Sequence, residues 1–233
     1  PTRYQDRFCF GSRPCTGIPD GKLGRTQHLL YDWVGAPSWT TEQHNLPNRK
    51  VHVCFVGASH ARELTMHSIE LVKPIAPNLV FHHLDAKLPT DFKLSQLETG
   101  TCDYAILSFG QWSNNKKGGK PCNAECFRES MKSAMALVNP RTYQGPTKVY
   151  FLSTNYNGLS SVITACPPYD HRFPPVIDMM NSITMSMAIA EGIPYIDTNH
   201  IMGPMWDSAL DYNHPVWKVF YAEVEWILYS IFN

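Results

Sequence analysis

The strongest constraint on this chain is a repeated alternation of two patterns. Short β-branched or aromatic runs are each followed by a segment with helical spacing. Residues 51–56 (Val-His-Val-Cys-Phe-Val) form the first run, and Gly57 ends it. Such a run suits a buried strand. Further runs lie at 79–84, at 104–109 (ended by Gly110), at 149–152 and at 195–197. Between them, residues 60–73 carry Ala61, Leu64, Leu71 and Val72 at helical intervals. Residues 124–138 do the same with Phe127, Met131, Met135 and Val138, and residues 175–191 form a Met-rich helical segment. A final helix is expected from about residue 216, with Val216, Phe220, Val224, Ile227 and Ile231 on one stripe. Strands alternating with helices at this pace predict βαβ units and a parallel sheet. The expected fold is therefore α/β. It is a three-layer α/β/α sandwich around a five-stranded, mainly parallel, flavodoxin-like sheet.

Residues 1–50 lack this alternation and are rich in Gly, Pro, Arg and Thr. They read as an irregular N-terminal arm packed on a domain of residues 51–233. Composition supports an ordered chain, because 43% of its 233 residues are hydrophobic and only 17% are charged. A disordered chain needs the reverse balance. Twenty basic residues face twenty acidic ones, so the basic footprint of a nucleic-acid binder is missing. No stretch reaches the roughly 18 apolar residues of a membrane span. The chain starts at Pro1 and not at Met, as expected of a processed or truncated form.

Seven cysteines leave at least one without a partner inside the chain. Cys54, within the first apolar run, is expected to be that residue, as a small buried thiol. The other six (Cys9, Cys15, Cys102, Cys122, Cys126 and Cys166) sit in polar or Pro/Gly-rich surroundings. Loop cysteines of this kind point to an oxidising compartment, so secretion or a secretory-pathway lumen is expected. Cys122-x3-Cys126 lacks the second close Cys or His pair of a structural zinc site, and no metal is expected.

In parallel sheets of this type, ligands sit beyond the carboxyl ends of the strands. That rim should carry Gly57–Ser59, Gly110–Trp112, Ser153–Asn155 and the segment after Asp197. Ser59 falls on the turn between the first strand and its helix. The first backbone N–H groups of a helix are unpaired and can stabilise an oxyanion formed when a serine attacks a carbonyl. Taken alone, a serine there is more often a helix cap. A nucleophilic serine needs a base, and the histidine of Asp211-Tyr212-Asn213-His214-Pro215 suits that task near neutral pH. Asp211, three residues earlier, can hold the imidazole tautomer. Pro215 suits the first position of the final helix. In Gly110-Gln111-Trp112-Ser113-Asn114, the Gly110 N–H or a side-chain amide can add an oxyanion donor, and Trp112 can floor a sugar site.

The order of these pieces resembles the SGNH hydrolases, also called the GDSL esterase superfamily, over residues 51–233. The resemblance is closest to the PC-esterase branch, which includes plant polysaccharide O-acetyltransferases. Gly57, Ser59 and Arg62 match that branch's G-D-S-x-x-R motif, and Gly110-Gln111-Trp112 resembles its Gly-x-Trp loop. Asp211 and His214 fit its catalytic pair. Ala58 stands where the motif has Asp, and Trp112 stands where the wider superfamily has a block-three Asn, leaving Asn114 or Asn115 to replace it. The resemblance implies Ser59 as nucleophile, His214 as general base and Asp211 as its orienter. The Ser59 N–H, with Gly110 or Gln111, would form the oxyanion hole. Arg62 would brace the site or bind an acidic group, or else form a surface ion pair.

The implied activity is ester hydrolysis or acyl transfer on O-acetylated carbohydrate through an acyl-serine. The implied partner is an acylated small molecule or polysaccharide, and no cofactor is implied. Ala58 and the missing asparagine motivate a second expectation, an inactive carbohydrate-binding or structural module. A third is a phosphate held at the Ser59 helix start. No G-x-x-x-x-G-K or G-x-G-x-x-G pattern supports a nucleotide. His82 and His83 are adjacent in a strand and face opposite ways, so they cannot share a metal. The methionines of 175–191 read as core filler, and Asp197 as a support for the His214 loop.

Overall fold

A computed structural model describes residues 48–98, 101–113, 122–155, 174–202 and 217–232. Most of the expected arm at 1–50 lies outside these residues, as do Cys9, Cys15 and Cys166. The described chain runs β1 (Val51–Gly57), α1 (Ser59–Val72), β2 (Leu79–Asp85), a 3₁₀ turn (Pro89–Asp91) and α2 (Ser95–Glu98). It continues with β3 (Tyr104–Ser108), α3 (Ala124–Leu137), β4 (Lys148–Leu152), α4 (Pro174–Glu191), β5 (Tyr195–Ile196), α5 (Asn199–Met202) and α6 (Trp217–Phe232). Each expected strand and helix is present, with ends shifted by a residue or so.

The five strands form one sheet in the order β2-β1-β3-β4-β5. Every pairing is parallel. The pleat sends alternate residues to opposite faces, and the core divides accordingly. Val51, Val53 and Phe55 of β1 join Ile106, Leu152 and the buried sides of α1 and α6. Cys54 and Val56 join Ala105, Leu107, Phe151 and the buried sides of α3 and α4. Because both faces are covered, the inner strands β1 and β3 read as near-continuous apolar runs. The α6 stripe is confirmed at Phe220, Val224, Ile227 and Ile231, all buried. The Met-rich helix buries Met180, packs Met179 and Met187 partly against the core and exposes Met185.

One expectation is overturned. Cys54 is not a free thiol, because it bonds Cys102 across a sequence separation of 48. Cys102 lies just before β3, which pairs with β1, so the two chain segments are neighbours. Sequence reading assigned Cys102 to a polar loop, yet only 4% of it is exposed. Burial at the start of β3, beside β1, brings its thiol to Cys54. A second bridge joins Cys122 to Cys126 at the start of α3, where Asn123 caps the helix by accepting the Cys126 N–H. Among the described residues, no helix is long and apolar enough to cross a membrane.

Gly57, the last residue of β1, is required by close approach. A Cβ at this position would stand 2.7 Å from the Ser108 carbonyl oxygen on β3 and 3.0 Å from the Ala61 Cβ. Both neighbours belong to rigid backbone elements, so neither can yield cheaply. Gly57→Ala is expected to destabilise the domain by about 1–3 kcal/mol, read as a lower urea midpoint. An unchanged midpoint would show that β1 and β3 can separate at this end.

Candidate active site

The strand order determines where a site can lie. The chain leaves β1 for β2 on one side, then returns to place β3 on the other side of β1. Helices therefore depart to opposite faces at the carboxyl ends of β1 and β3, which is the topological switch point where sheets of this kind bind ligands. Gly57 and Ser108 are register partners at that end. Ser59 and the Gly110–Trp112 turn follow them directly, so both lie at the switch point.

Ala58 occupies the capping position of α1, and the Arg62 N–H donates to its carbonyl at 3.2 Å. Ser59 thus opens the first turn and is not the capping residue. The Ala58 methyl cannot accept a hydrogen bond, so no side chain at the cap satisfies the first-turn amides. The Gly57 carbonyl, just before this turn, accepts from His83 Nε2 at 3.0 Å and from the Ala86 N–H at 3.2 Å. His82, on the opposite face of the strand, stacks on His52, and their nearest ring nitrogens are 2.9 Å apart. Burial, with His52 beside it, holds the His82 imidazole below its ordinary value.

The β3 loop and the segment after β4 are locked together. Thr154 Oγ1 donates to the Phe109 carbonyl at 2.6 Å. Asn181 of α4 grips the Thr154 backbone twice, accepting its N–H at 2.7 Å and donating to its carbonyl at 2.8 Å. A Cβ on Gly110 (φ 136°) would overlap the Thr154 side chain, and this backbone conformation itself favours glycine. Gln111 Nε2 donates to the Asn155 carbonyl at 2.9 Å. Trp112 is half-buried, with the Lys87 ammonium 5.3 Å from its ring centre.

Of the expected site residues, Ser59, Gly110, Gln111 and Trp112 thus fall on adjoining strand ends. Arg62 is exposed and its guanidinium lies 3.2 Å from Glu63, as a surface ion pair. Asp211, His214 and Asn114 lie outside the described residues. Asp197 caps α5, accepting the Asn199 and His200 N–H groups at 3.0 and 3.3 Å. Among the described residues, no group of three or more His, Cys, Asp or Glu is placed to hold a metal.

The structure adds a buried polar cluster on this rim that sequence reading missed. Glu223 of α6 is 1% exposed and His60, next to Ser59, is 5% exposed. His60 Nε2 lies 3.1 Å from Glu223 Oε2 and 3.2 Å from Oε1. Asn155 Nδ2 donates to the same carboxylate at 2.9 Å, as does Thr198 Oγ1. Ser153 Oγ accepts the N–H groups of Thr198 and Asn199, both at 2.8 Å. One signal could have found it. Glu223 falls three residues after Phe220 and four before Ile227, on the apolar stripe, where a charge is rarely left without partners.

This five-stranded parallel sheet, with a serine opening the helix that follows β1, is a fold that solved structures of lipases and esterases share. A GDSL-like lipase from Bacteroides thetaiotaomicron gives a TM-score of 0.57 at 13% identity, covering 90% of this chain and 96% of that one. An acetylxylan esterase from Geobacillus stearothermophilus gives 0.57 at 12% identity, covering 78% and 94%. A lipase/acylhydrolase from Enterococcus faecalis gives 0.54 at 15% identity, covering 78% and 95%. No protein-family model matches the sequence, and no curated protein is detectably similar to it. The likeness is one of fold.

Proposed function

We propose that this chain is a serine-dependent esterase or acyltransferase acting on O-acetylated carbohydrate, of the PC-esterase type. The observation that carries the reading is the position of Ser59. It opens α1 at the switch point, beside the Gly110–Gln111 turn, in a fold shared with lipases and an acetylxylan esterase. Ser59 Oγ attacks the acyl carbonyl while His214, oriented by Asp211, takes its proton. The Ser59 N–H and a donor from Gly110 or Gln111 stabilise the developing oxyanion. His214 then protonates the leaving sugar oxygen and the acyl-serine forms. Water releases the acyl group in an esterase, and a second sugar hydroxyl does so in a transferase. Trp112 is a platform for a sugar ring. The two disulfide bridges support residence in an oxidising, secretory compartment.

A fluorophosphonate probe tests the nucleophile directly. The Ser59 peptide is expected to carry the label, and acetyl release with and without an acceptor glycan then separates esterase from transferase. The uncapped Ala58 favours a second reading, an inactive carbohydrate-binding module of the same fold. A folded chain that binds glycan but takes no label would establish that second reading.

A further inference from the structure

We propose that Glu223 is a positioning residue for Ser59, acting through His60; the link to chemistry rests on Ser59 being the nucleophile. The Glu223 carboxylate receives three donors from three separate parts of the rim. His60 belongs to the first turn of α1, Asn155 follows β4 and Thr198 follows β5. One buried anion on the last helix therefore ties together the chain segments that leave β1, β4 and β5. A carboxylate is the side chain suited to this place, because it accepts only and all three partners donate.

The arrangement is a poor device for stability alone. Apolar side chains of similar volume usually stabilise a core at least as well as a buried ionic cluster. What such a cluster does supply is one geometry, since each donor must meet its own lone pair. That geometry matters most at His60. It is covalently next to Ser59, it packs on Phe220 with ring centres 5.2 Å apart, and Ala58 provides no side-chain cap to hold the same turn. With Nε2 donating to Glu223, the imidazole is fixed in rotation, and the backbone that carries Ser59 is fixed with it. His60 Nδ1 is buried and, among the described residues, meets no hydrogen-bond partner. The ring is thus held from the Glu223 side and by packing.

The test uses the whole chain with Glu223→Gln and Glu223→Ala. Amide hydrogen exchange is read at residues 59–62 and along the rest of α1 and α6. Glu223→Ala is expected to speed exchange at 59–62 by about tenfold or more beyond any change along the rest of either helix. Glu223→Gln, which keeps one carbonyl acceptor but turns an NH2 toward the remaining donors, should restore only part of that protection. On an aryl acetate, kcat should fall about 10–100-fold in Glu223→Ala, because small misplacement of a reacting group has that cost. KM should stay within about twofold, since binding and transition state lose unequally. Glu223→Gln should fall between Glu223→Ala and the wild type in kcat. Exchange that rises uniformly over α1 and α6, or kcat that tracks only the folded fraction, would reduce Glu223 to a structural residue and overturn the proposal. Should the wild-type chain show no Ser59-dependent turnover, the nucleophile reading fails. The exchange pattern still decides whether Glu223 holds the turn.

Discussion

Ser59→Ala is expected to lower kcat on an aryl acetate by about four to six orders of magnitude while the thermal midpoint stays near that of the wild type. The size follows from the proposed role of Ser59 as nucleophile. Without Oγ no acyl-serine forms, and only the oxyanion donors and binding remain to accelerate attack by water. Ser59 is partly exposed at the first turn of α1, so its hydroxyl is not part of the packed core. His214→Ala should cost a similar factor. The Ser59→Ala/His214→Ala double variant should be scarcely worse than either single one, because in the proposed mechanism the two residues act as one unit. Additive losses would mean that they act separately, and retained turnover in Ser59→Ala would end the acyl-serine mechanism.

The second large effect concerns the bridge that sequence reading did not foresee. Cys54→Ala/Cys102→Ala is expected to lower unfolding free energy by about 4 kcal/mol, from the loop-closure entropy of a bridge spanning 48 residues. Total stability of a domain is about 5–15 kcal/mol, so this loss takes much of it. Cys122→Ala/Cys126→Ala should cost only about 2 kcal/mol, because that bridge spans 4 residues. Denaturant midpoints of the two variants against wild type check the order. Alkylation of Cys54 in the native, unreduced chain would contradict the bridge outright.

How legible the site was depended on how local its signals were. Ser59 and Gly110 were readable because each follows an apolar run ended by a turn, and the period alone places both on the carboxyl edge of a parallel sheet. Trp112 was readable with them. Asp211 and His214 rest on a spacing and a resemblance, and both lie outside the described residues. His60, Asn155, Thr198 and Glu223 carry no mutual signal in the chain. Glu223 is 163 residues from His60 and 68 from Asn155, and nothing in the local pattern of one names the other. Cys54 was misread for the same reason. Its apolar surroundings are real, but a buried strand can also receive a thiol from a neighbouring segment.

By itself, then, the sequence of this protein determined what depends on neighbours along the chain. That comprises five strands, the helices between them, their burial on both sides and the rim formed by the carboxyl ends of the strands. Periodicity dictates these, since the pitch of a helix and the pleat of a strand convert spacing directly into faces. Tertiary structure alone decided which groups meet across that framework: Cys54 with Cys102, His52 with His82, and one buried carboxylate with three donors at the edge of the Ser59 turn. Such pairings arise from strand order and from the crossing of α6 over α1. These are set by how the whole chain packs and leave no periodic trace.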